Sequence, residues 1–135
     1  MNRRALLTLA LVVPVLTTAP AHAGSYLNRA ALLVVEASRE SEYLRGRVND
    51  KDLAELVHRV ASARLEAASR MNVPKEVVMA HPHLLLILEN YERSAEAATE
   101  SKGERFLIYQ QRARDEENVL RGILKQLGWA LPGVK

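Results

Sequence analysis

His81 and His83 flank Pro82, and Met79 stands two residues before them, so the chain contains a Met-x-His-x-His segment. In an extended or turn conformation alternate residues point the same way, and the three side chains would face one ion. Thioether plus imidazole suits copper, with zinc the other metal to consider. Two imidazoles and one thioether are a sparse ligand set, however. The plainer reading is a first helical turn that holds two histidines, with Met79 in the core. Glu55-Leu56-Val57-His58 matches the Glu-x-x-His pattern by which bundles aim a carboxylate and an imidazole inward. A di-iron site needs two such motifs and two further glutamates, and only one motif is present. Glu55 also stands four residues before Arg59, a pairing that would turn it outward.

Other chemistries find less support. The 135 residues include no cysteine, which excludes disulfides, thiolate zinc sites, iron–sulfur clusters and a cysteine nucleophile. There is no Gly-x-Ser-x-Gly elbow, no phosphate-cradling glycine loop and no His-Glu-x-x-His. Asp115, Glu116 and Glu117 are adjacent and cannot all face one cleft, so no catalytic residues are assigned. Glu116 or Glu117 interrupts an apolar stripe, and Arg64 or Arg112 is a possible partner for a buried carboxylate.

The first segment reads as an address. Arg3 and Arg4 form a basic start, Ala5–Leu16 an apolar stretch, and Ala21-His22-Ala23 an A-x-A cleavage signal. The apolar stretch is well short of the roughly 20 residues that span a bilayer, so residues 1–23 are expected to be a cleaved signal peptide, with no transmembrane anchor afterwards. The arginine pair leaves ordinary secretion and twin-arginine export both open. The expected location is the periplasm or the extracellular space. Of 19 Lys and Arg against 16 Asp and Glu, two arginines leave with the leader, so the remainder, a single domain over residues 24–135, is nearly neutral. Such a balance, with signs interleaved, lacks the basic footprint of a nucleic-acid binder.

The elements that must position these residues are helices. Tyr26, Ala30, Leu33, Ala37, Ser41 and Leu44 recur three or four apart, giving a first helix from about Ser25 to Arg45 that ends at Gly46 as a left-handed cap. A second starts at Asn49 or Asp50, with Leu53, Val57, Val60, Ala63, Ala67 and Met71 as its inner stripe, widened by Leu56. Residues 74–80 are expected to form two helical turns before Pro82 kinks or breaks the third helix. Ser101-Lys102-Gly103-Glu104 reads as a capping box opening the fourth. Its stripe is Phe106, Tyr109, Ala113, Leu120, Ile123 and Leu127, and Gly128 stands where a C′ glycine belongs, with Trp129 folding back on Leu124. Short connections between four such segments imply an all-α, up-down-up-down four-helix bundle.

On this reading the protein is a small exported, non-enzymatic bundle that binds another protein or a second copy of itself. The alternative is an extracytoplasmic metal- or cofactor-binding bundle that uses Met79, His81 and His83.

Overall fold

The computed structural model describes residues 22–134; the expected leader, apart from its last two residues, lies outside them. Helices α1 (Ala23–Arg45), α2 (Lys51–Ser69), α3 (His81–Thr99) and α4 (Gly103–Gln126) form a four-helix bundle, with no strand among the described residues. No described helix is long and apolar enough to cross a membrane. Cross-helix pairs fix the directions. Tyr26 near the start of α1 meets His81 at the start of α3, whereas Ser41 near the end of α1 meets Gln110 early in α4. His58 in α2 meets Glu92 in the second half of α3, which makes those two antiparallel. The central element is α3, which packs along α2 and α4 and also carries most of the contact with α1.

Pro82 starts a helix and does not kink one. It lies in the first turn of α3, where its missing N–H would have had no intrahelical partner. The two helical turns expected over residues 74–80 reduce to one 3₁₀ turn, Lys75–Val77. Pro74 sets the extended backbone in front of it, and residues 78–80 form a turn that leads into α3 at His81.

Two ends differ from their expected caps. Gly46 is right-handed (φ −73°), and α1 closes with Arg47 N–H donating to Leu44 O at 2.8 Å, so the position makes no use of glycine's freedom. Ser101 is no N-cap. It adopts φ +59°, and with Ser101 N–H on Ala98 O and Lys102 N–H on Ala97 O it ends α3 in a Schellman turn. The serine therefore serves the helix before it, and α4 begins at Gly103 with no side-chain cap. Asp50 does cap α2, accepting from Leu53 N–H at 3.0 Å. Gly128 takes φ +83°, and Trp129 N–H bonds Leu124 O at 2.8 Å, the expected terminal motif of α4.

The largest departure is the face that α2 buries. Its core residues are Ala54, Ala61, Arg64 and Ala68, with Leu53 and Val57 only partly covered. Leu56 and Val60 stay 50% and 38% exposed. The buried alanines stand seven residues apart, the spacing of a coiled-coil-like seam, and methyl groups permit closer helix approach than leucines would. In α4 a similar rotation buries Gln110 in place of Tyr109 and leaves Leu127 exposed.

The core divides in two. One cluster includes Tyr26, Val34, Leu84, Leu88, Tyr91, Ala113 and Leu120; the other comprises Leu44, Ala54, Ala95, Ala97, Ala98 and Phe106. Burying Phe106 alone contributes about 1.5–3 kcal/mol. Between its residues of the two clusters each helix supplies one buried polar side chain: Ser41, Arg64, Ser94 and Gln110. Gln110 Nε2 donates to Ser41 Oγ at 2.8 Å, Ser94 Oγ donates to Tyr91 O, and Arg64 bonds Glu40 at 2.7 Å.

If the alanine face is what packs, Ala61→Leu should destabilise the fold by about 1–3 kcal/mol through overpacking, as measured by urea unfolding. Leu56→Ala should change stability by no more than about 0.5 kcal/mol. The opposite ranking would show that α2 presents the other face to the core.

Candidate functional site

Each described histidine beyond His22 links α3 to a different neighbour. His81, the first residue of α3, reaches α1: its Nδ1 lies 2.9 Å from the Tyr26 hydroxyl, with the rings edge-on at 5.7 Å. Burial lowers the His81 pKa and pushes Tyr26 up to about 12, so both are neutral at neutral pH. One hydrogen bond joins the phenol oxygen and Nδ1, with the donor set by the His81 tautomer. His83, two residues on and so on another side of the helix, pairs through Nδ1 with Glu116 of α4. Met79 lies in the turn before α3 and is 69% exposed.

The extended backbone that would aim Met79, His81 and His83 at one ion is not formed, because helix begins at His81. The two imidazoles share no partner. Of the carboxylates in the α4 stripe, Glu116 takes His83 and Glu117 pairs with Arg121. Arg64 finds Glu40, and Arg112 lies 5.2 Å from the centre of the Tyr109 ring.

His58 is the third case. Its Nε2 lies 2.8 Å from Glu92 Oε1 of α3, and Ser62 Oγ approaches the same oxygen at 3.4 Å. Glu96, one turn further along α3, completes a group whose potential ligand atoms lie within 4.8 Å of one another. Glu55, the local partner that the Glu-x-x-His spacing offered, is exposed and takes no part in it. Glu92 and Glu96 escaped the sequence reading because they lie 34 and 38 residues from His58 and meet it only across the α2–α3 hairpin. Their signal was weak but present: two glutamates at i, i+4 on a helix antiparallel to the one that carries the imidazole.

A second feature follows from the rotation of α2. Its aliphatic side chains, turned from the core, line an open groove of about 430 Å³ against α1, formed by Tyr43, Leu53, Leu56, Val57 and Val60 with Arg39 and Glu40 at the rim. Tyr43 is 53% exposed, its ring covered on one side by the Arg47 guanidinium at 4.0 Å. Leu86, within the apolar block Leu84–Leu88, also stays exposed, while Leu84, Ile87 and Leu88 are buried.

Comparison with protein-family models, curated proteins and solved structures finds no match to this chain.

His81 gives the bundle a pH dependence of known sign. Its folded pKa lies below the unfolded value of about 6.5, so the stability it provides is present above that value and declines as pH falls through the range below it. Urea unfolding at neutral pH and near pH 5 should show a loss of stability on acidification that His81→Gln reduces. An unchanged pH slope in that variant would contradict the assignment.

Proposed function

We propose that the chain is an exported, non-enzymatic protein-interaction module that docks through the outer face of α2. One observation carries this reading: Leu56 and Val60, large aliphatic residues on a well-formed helix, line an open groove and not the core. Isolated exposed leucines are ordinary, but here the apolar surface is contiguous and concave, as helix-binding grooves are. Export rests on the leader pattern, with Arg3, Arg4 and Ala21-His22-Ala23, and α1 starts at Ala23, next to the expected cleavage point.

The occupant that fits best is a second copy of the chain. Leu56, Val60, Ala63 and Ala67 recur at helical spacing on exposed positions of α2, and a two-fold axis would lay this stripe against itself. Ala63 and Ala67 permit close approach of the two helices, while Leu56 and Val60 of each copy fill the groove of the other.

Sedimentation velocity over a range of concentrations tests the reading. The unmodified protein should pass from monomer to dimer as concentration rises. Leu56→Glu and Val60→Glu should each weaken association at least about tenfold, or ~1.4 kcal/mol, while the circular dichroism of the monomer is unchanged. A chain that stays monomeric throughout, or dimers indifferent to both substitutions, would overturn docking through this face.

A further inference from the structure

We propose that His58, Glu92 and Glu96 form a binding site for a divalent first-row transition metal ion, bridging α2 and α3, with Zn²⁺ the best-fitting ion. The donor set is one imidazole nitrogen and two carboxylate oxygens, all within 4.8 Å of one another. Around a tetrahedral zinc ion, ligand atoms about 2.0–2.2 Å from the metal stand roughly 3.4 Å apart. The observed His58–Glu92 separation of 2.8 Å is a direct hydrogen bond, so metal entry replaces the shared proton and opens that pair by a fraction of an ångström. Glu96 closes by a comparable shift of a flexible, exposed side chain.

Charge supplies an independent argument. Glu89, Glu92 and Glu96 of α3 and Glu100 at its C-cap form an acidic row. Its ends are neutralised, Glu89 by Arg93 at 2.8 Å and Glu100 by Lys102 at 2.9 Å. Among the described residues, Glu92 and Glu96 pair with no lysine or arginine, and the positive partner available to Glu92 is His58 alone. Two like charges one helical turn apart repel. A divalent cation held by both would cancel them and take a neutral imidazole as its third ligand.

The surroundings suit a closed-on-one-side, open-on-the-other site. The side chains of His58 and Glu92 are 29% and 21% exposed, whereas Glu96 reaches solvent. An open cleft lined by Glu55, His58, Arg59 and Thr99 adjoins the imidazole, leaving room for a water as fourth ligand. Ser62 Oγ, on the Glu92 oxygen, orients that carboxylate from behind. All three ligands stand on helices held together by the alanine seam, so little chain ordering is needed on binding. An imidazole ligand and only two carboxylates favour zinc or its neighbours over calcium or magnesium, which take oxygen-rich sets. The site is separate from Met79, His81 and His83 and does not depend on docking through α2.

Isothermal titration calorimetry of the full chain with Zn²⁺ should show one saturable site. Glu96→Gln and His58→Ala should each weaken binding at least about tenfold, with Met79→Ala without effect. Glu96 is exposed, so Glu96→Gln decides the matter even if His58→Ala perturbs folding, which circular dichroism would reveal. Absence of Zn²⁺ binding, or binding undiminished by Glu96→Gln, would overturn the proposal.

Discussion

Helix α2 turns Ala54, Ala61 and Ala68 inward while packing mainly along α3, and that azimuth sets most of what is chemically notable in the molecule. A helix has one azimuth: if the alanines face inward, the positions on either side are fixed with them. Val57 and Leu53 move to the seam's edge, His58 is brought beside Glu92, and Leu56 and Val60 are left outside. The gain is close approach along the whole hairpin and dispersion contact between backbones. Its cost is that several large aliphatic groups forgo burial. The groove and the imidazole–carboxylate cluster are thus two results of a single packing decision.

The buried polar side chains add what alanine packing lacks, a preferred register. Methyl groups at a seven-residue spacing look alike from one turn to the next, and such a seam resists sliding weakly. Gln110 and Ser41 are buried and satisfy one another across 69 residues of sequence. Shifting α4 by a turn against α1 would leave both groups without a partner away from water. Arg64 and Glu40 do the same for α2 and α1, with the guanidinium buried, Glu40 Oε1 on it and Glu40 Oε2 buried without a partner. That unpartnered oxygen adds a desolvation cost to the pair, which therefore serves register more than stability.

Much of the architecture is written locally in the chain. Four helices, the Asp50 cap, the Gly128 terminus and the start of a helix at Pro82 all depend on residues within a turn or two of each other. The side of α2 that packs depends on its fit to α3, and apolar periodicity weighted toward large residues points away from alanine. Ser101 has the composition of an N-cap, yet tertiary closure of the α3–α4 hairpin claims it as the left-handed end of α3. The ligands of His58 are set by hairpin register, which no short-range pattern specifies. Met79, His81 and His83 illustrate the converse. Their spacing is suggestive for an extended or turn conformation, and the helix that begins at His81 sends the two rings to α1 and α4.

The placement of α3 at the centre also has a kinetic side. The main partner of α1 lies far downstream: Tyr26 waits for His81, 55 residues later, and Ser41 for Gln110. During synthesis from the N-terminus, α1 therefore meets α2 first and lacks its larger contact, with α3, until most of the chain exists. The α2–α3 and α3–α4 hairpins, by contrast, close over short connections and can form quickly. Helix α1 cannot complete its packing before α3 and α4 exist, whatever contact it makes with α2 earlier.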